Sequence, residues 1–131
     1  MPISSEPIDA NISIDIETAG PNPTQYAMLS IGACTLGEPK NKFYLEQKPD
    51  KHEFLSETLA VSKLSMEKLV EPGMEPKVAM QNFADWLAEI VPADHRPLWD
   101  AFNAPFDWMF VNEYFSNYLG HNPCQSDTNQ C

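Results

Sequence analysis

Positive charge is what this chain has least of. Eight Lys and Arg stand against 19 Asp and Glu, a formal net charge of −11 over 131 residues. Non-specific binding of long duplex DNA depends on basic side chains that neutralise phosphates, so this balance argues against a duplex-coating protein. It leaves room for a metal-dependent nuclease, because bound cations can be the largest local charges in such a site. Short single-stranded substrates then fit better than long duplexes. Cysteine is scarce too. Cys34, Cys124 and Cys131 are odd in number and widely spaced, which speaks against a disulfide framework and predicts reduced thiols in a cytoplasmic protein, with Cys34 in the core. There is no 18-residue apolar run, so no membrane-spanning helix is expected. No basic segment followed by an apolar one opens the chain, so no secretory signal is expected either.

What is present suffices for one domain with one core: 43% of the residues are hydrophobic and 11% aromatic, the range of ordinary globular proteins. The most informative stretch is Ile12-Ser13-Ile14-Asp15-Ile16-Glu17-Thr18. Its strict alternation is the period of a half-buried strand, with Ile12, Ile14 and Ile16 on one face and Ser13, Asp15 and Glu17 on the other. Two carboxylates on one strand face lie roughly 6–7 Å apart, an arrangement that repels unless a cation sits between them. Hard divalent ions take oxygen ligands of this kind. Thr18-Ala19-Gly20-Pro21-Asn22-Pro23 is a sharp turn, so the acids sit at the strand's carboxyl end, where ligands bind in α/β sheets.

Further strands are expected over Met28–Leu36 and Lys42–Leu45, completing an antiparallel meander through the turn at residues 37–41. A short helix is expected over Ser65–Val70, and a longer one opening at Pro76 with the stripe Phe83, Trp86, Leu87, Ile90 and Val91 facing the core. Leu98–Phe102 reads as a fourth strand. The next helix is capped by Asn103 or Ala104, has Pro105 in its first turn, and runs to about Leu119 before Gly120. Asp107 falls in that first turn, where the helix dipole favours a carboxylate. If the fourth strand lies parallel beside the first, Asp15, Glu17 and Asp107 converge on one rim.

These residues resemble a known family. Asp15-Ile16-Glu17-Thr18-Ala19-Gly20 is similar to the first motif of the DEDD 3′–5′ exonucleases, the superfamily of oligoribonucleases, ribonuclease T and polymerase proofreading subunits. Asn103-Ala104-Pro105-Phe106-Asp107 resembles the second. The likeness runs from about Ile12 to Leu119. It implies an α/β fold of ribonuclease H-like type, a mixed sheet with flanking helices. It implies phosphodiester hydrolysis with two Mg²⁺ or Mn²⁺ ions that stabilise the attacking and leaving oxygens. Asp15 would bridge both ions, and Glu17 and Asp107 would hold one each. Thr18 would meet the 3′-terminal nucleotide through the turn backbone, Phe106 would wall the base pocket, and Leu64 and Asn103 would touch substrate. The implied partners are 3′ ends of RNA or short single-stranded DNA.

The sequence departs from the family in places. Ser62 and Lys63 stand where many members carry His and Gly, and Phe102 where His is common. The family's third motif, an Asp preceded by a His or Tyr general base, has no match: after Asp107 the only Asp is Asp127, and His121 lies one residue out of register. The expectation is an exonuclease domain over residues 1–122, incomplete at its C-terminal side, and a disordered tail over 123–131. Such a domain lacks the last strand and helix, and its uncovered sheet edge predicts a homodimer. Two other readings compete. One is a remnant that binds metal, nucleotide or a partner protein without hydrolysis. The other is a phosphatase with Asp15 as nucleophile, disfavoured because a proline-rich turn and an antiparallel strand follow strand one where that chemistry needs a helical crossover.

Overall fold

The computed structural model describes residues 8–36, 40–62, 64–66, 73–91, 95–100 and 104–123. Four strands form one sheet: β1 Ile8–Thr18, β2 Met28–Thr35, β3 Lys42–Glu46 and β4 His95–Asp100, in the order β3-β2-β1-β4. The β1–β2 and β2–β3 pairs are antiparallel and the β1–β4 pair is parallel. Three helices accompany them: α1 Ser56–Ser62, α2 Pro76–Ile90 and α3 Ala104–Leu119. This is the α/β, ribonuclease H-like mixed sheet that the motifs imply. No helix among the described residues is long and apolar enough to cross a membrane.

The period of two in β1 does what it predicts. Ile12, Ile14 and Ile16 are buried while Asp15 is exposed. Beneath the isoleucines lie Ala79, Met80, Phe83 and Leu87 of α2 and Phe110, Val111, Tyr114 and Phe115 of α3. Phe83 stacks on Phe115 with ring centroids 5.9 Å apart, and Phe43 of β3 closes on Phe83 at 5.3 Å. Pro76 opens α2, where its missing N–H costs nothing. Gly120, at φ 81°, ends α3 in the left-handed conformation that glycine adopts without strain.

Several expectations need correction. β1 begins at Ile8, four residues before the expected start at Ile12, and Ile8–Ser13 pair with His95–Asp100 of β4. The apolar–polar alternation of Ile8-Asp9-Ala10-Asn11 continues in phase into Ile12–Glu17. Helix α1 has too few residues to show a helical stripe and was not anticipated. Cys34 is not in the core: its pairing with Ser13 places it on the opposite face of the sheet, half-exposed, while Ala33 turns inward. The expected helix over 65–70 falls mostly, and the tail over 124–131 wholly, outside the described residues.

The sheet is irregular where the site begins. Glu17 pairs with Ser30 but Thr18 pairs with Met28, so Leu29 is an extra residue in β2. This bulge turns Leu29 away from the main core and into a second cluster with Ala19 and Ala27, against which Leu59, Leu64 and Met66 pack.

Candidate metal and nucleic-acid site

Asp15 and Glu17 leave β1 on the face opposite the isoleucines. Asp15 is exposed and Glu17 half-buried. Asp107 comes from the first turn of α3 and is buried, with 7% of its surface exposed. Burial, then the charge of Asp15, raises the Glu17 carboxyl above its ordinary value. Burial, then Asp15 and Glu17, pushes Asp107 up to about 6. A helix N-terminus alone would act in the other direction, so desolvation and two nearby carboxylates outweigh the dipole here. The two ion pairs among the described residues, Lys48–Glu75 and Lys51–Asp50, reach none of these acids.

The donor set is all carboxylate oxygen, the chemistry of Mg²⁺ and Mn²⁺ and not of Zn²⁺. Among the described residues, however, no three His, Cys, Asp or Glu side chains form a group that could hold an ion as they stand. The charge of Asp15 reaches both Glu17 and Asp107, yet the three do not make a closed cage. In chemistry the set therefore fits a divalent cation, as an open rim that an ion would have to draw together.

The turn after β1 is tightly built. Thr18 is buried and its Oγ1 donates to the Gly20 carbonyl at 2.8 Å. The Ala19 N–H donates to Ala27 O at 2.9 Å, closing the loop, and the Leu55 N–H donates to Ala19 O at 2.8 Å. Asn22 accepts the Gln25 N–H at 2.9 Å in a side-chain-capped turn. Gly20 is obligatory: a Cβ there would stand 2.3 Å from the Tyr26 ring. Thr18 thus spends its hydroxyl within the turn. Leu64 packs half-buried behind this turn. Phe106 lies half-buried one residue before Asp107, its ring 5.2 Å from Phe110. Asn103 lies outside the described residues.

Sequence reasoning missed a second layer. Both backbone groups of Met28, the partner of Thr18, are held by side chains: its N–H donates to Tyr114 Oη at 2.8 Å, and its carbonyl accepts from Gln47 Nε2 at 3.0 Å. The Tyr114 hydroxyl in turn donates to Asp50 Oδ1 at 2.6 Å, and Tyr118 donates to Asp50 Oδ2 at 2.6 Å. Burial and the Asp50 carboxylate raise both phenols, which stay neutral donors. This network ties α3 to the edge of the turn, so the helix that carries Asp107 and the loop beside Glu17 are braced together. No sequence signal announces it, since its members lie up to 86 residues apart.

No protein-family model matches the chain. A 3′–5′ DNA exonuclease of Escherichia coli, Cap18, is 45% identical over 112 residues, which is 86% of this chain and 60% of that protein. The chain therefore spans somewhat under two-thirds of this relative. The fold is shared with exonuclease I. The Escherichia coli enzyme in complex with a dT13 oligonucleotide superposes with a TM-score of 0.68 at 16% identity, over 84% of this chain and 24% of that one. Exonuclease I from Methylocaldum szegediense gives a TM-score of 0.68 at 15% identity over the same shares. Over most of its length the chain thus resembles a 3′–5′ DNA exonuclease, and it shares the fold of exonuclease I.

Proposed function

We propose that this chain supplies the metal-binding acids of a divalent-cation-dependent 3′–5′ exonuclease that acts on single-stranded nucleic acid. One observation carries the reading: Asp107 opens α3, 90 residues on from Glu17, and its carboxyl is raised to about 6 by burial and by the Asp15 and Glu17 carboxylates of β1. Asp15, Glu17 and Asp107 would hold the ions, which supply Lewis-acid stabilisation to the attacking and leaving oxygens of the phosphodiester. The chain's own contribution is placement. The turn at Thr18–Ala19 directly follows the acids, and the Tyr114–Met28–Gln47 network fixes it. Small displacements there are costly, because a misplacement of about 1 Å can lower a rate ~10²-fold. The chain's likeness to a 3′–5′ DNA exonuclease of Escherichia coli favours DNA as substrate, with RNA ends as the competing choice.

The test is hydrolysis of fluorescent single-stranded DNA and RNA by monomeric protein with Mn²⁺, read by product length. The reading expects mononucleotide release from the 3′ end, lost on Asp15→Ala and on Asp107→Ala. Cleavage that survives both substitutions would overturn the assignment of the acids.

A further inference from the structure

The acids occupy only one end of an open face. Asp15 also lines a groove of about 470 Å³ that continues away from the rim, across β2 and onto β3, past Ser13, Gly32, Cys34, Lys42 and Tyr44. Strand register explains the grouping. Asp15 pairs with Gly32 and Gly32 with Tyr44, while Ser13 pairs with Cys34 and Cys34 with Lys42, so two cross-strand rows share this face.

Three properties of these rows point to a ligand. Tyr44 is 64% exposed, the most exposed large hydrophobic side chain among those described, and its hydroxyl is pinned by donating to Glu46 Oε2 at 2.7 Å. Gly32 lies in the middle of a strand with no steric need to be glycine: an added Cβ would meet only Asp15 O at 3.5 Å and Tyr44 Cδ1 at 3.7 Å. Glycine inside a strand often marks a bulge, a bend or a site where a ligand or another backbone approaches closely; the bulge of β2 lies at Leu29 and not at Gly32. Lys42 is exposed and takes part in neither ion pair among the described residues, on a face whose other charges are acidic. A glycine floor and an aromatic ring in one row, with a cation in the next, are the parts from which single-strand binding surfaces are made.

We propose that this groove seats the nucleic-acid strand itself: a base stacks on the Tyr44 ring, the sugar-phosphate chain crosses Gly32, and Lys42 takes one phosphate. The inference rests on the nuclease reading and deepens it by giving the strand a path to the acids. Its competitor is purely structural, with Tyr44 shielding Gly32 as aromatic rings shield glycines within sheets.

The experiment is fluorescence anisotropy of a labelled oligothymidylate with the 131-residue chain, Ca²⁺ replacing Mg²⁺, over a range of salt. Tyr44→Ala should weaken binding by about 10-fold or more, since stacking supports such losses, and Tyr44→Phe should bind as the parent does. Lys42→Ala should weaken binding and flatten the salt dependence by about 0.7 in log K per log salt, the value for one phosphate contact of a single strand. Gly32→Val should block binding while far-ultraviolet dichroism stays native. Cys34 provides a check without mutation: saturating oligonucleotide should slow its alkylation several-fold by peptide mass spectrometry. Parental affinity in both Tyr44→Ala and Lys42→Ala, or unprotected Cys34, would overturn the proposal. Mn²⁺ calorimetry on the parent chain separates the two failures. An oligonucleotide that does not bind a Mn²⁺-binding chain fells the groove alone, whereas a chain that binds no Mn²⁺ fells the nuclease reading.

Discussion

The two faces of the sheet are built from the same strands and do opposite work. On one, Ile12, Ile14, Ile16 and Ile31 meet Phe83, Phe110 and Phe115, all buried. On the other, Ser13, Asp15, Glu17, Gly32 and Tyr44 stay open or half-open. The difference shows that in β1 every second residue holds the fold and every other one is free for chemistry. A carboxylate pair that repels is tolerable because the isoleucines on either side of each acid hold the strand in place. Substitutions on the two faces should therefore separate stability from binding.

The comparison breaks most violently on the core face. Phe83→Ala removes a ring that touches Phe43, Trp86 and Phe115. It should cost about 3–5 kcal/mol in chemical denaturation, and for a small domain that is a large share of its stability. The brace between the faces comes next. Tyr114→Phe leaves the Met28 N–H and the Asp50 carboxylate each short of a partner, and should cost roughly 1.5–3 kcal/mol. A drop below 0.5 kcal/mol would mean that water replaces the hydroxyl and that the brace contributes nothing.

On the open face the sign reverses. Asp107 has its carboxyl raised to about 6 by burial, Asp15 and Glu17. A group whose folded value lies above its unfolded one contributes stability that is full below the unfolded value and lost as pH rises through the folded one. Metal-free protein should therefore lose stability between about pH 4 and pH 6, by about 1–2 kcal/mol once solvent at the rim screens the charges. Asp107→Asn should flatten that slope and raise the melting temperature at pH 7 in chelator. A mutant less stable than the parent at pH 7 would mark Asp107 as a structural hydrogen-bond hub. The smallest effect belongs to Asp15→Asn, exposed on its strand. It should leave the metal-free melting temperature unchanged or slightly higher, and a loss of several kcal/mol would contradict a purely electrostatic role.

What the sequence made legible follows this same division. Alternation in Ile12–Glu17 and the stripe of Phe83 and Leu87 each report one local period against one core, so β1, α2 and their buried faces could be read directly. Asp107 was legible because a helix start follows a strand there, and the parallel β1–β4 pairing then brings it to Asp15. Cys34 was misjudged because Met28–Thr35 is apolar on both faces; only the pairing with Ser13 says which way it points. The groove was invisible for a similar reason. Gly32, Lys42 and Tyr44 become neighbours through the β2–β3 register alone, which no residue pattern announces. The Tyr114–Asp50 brace depends on contacts 64 residues apart.

The claim that the open face gathers a cation site is tested most directly by Mn²⁺ titration calorimetry of the parent, Asp15→Ala and Asp107→Ala proteins, repeated at pH 6 and pH 8. The account predicts weak binding in the parent that falls at least several-fold in both variants. It also predicts proton release on binding at pH 6 but little at pH 8, because Asp107 is about half protonated at the lower pH and must ionise to act as a ligand. Equal Mn²⁺ affinity in the parent and in Asp15→Ala, with no proton release at pH 6, would contradict it.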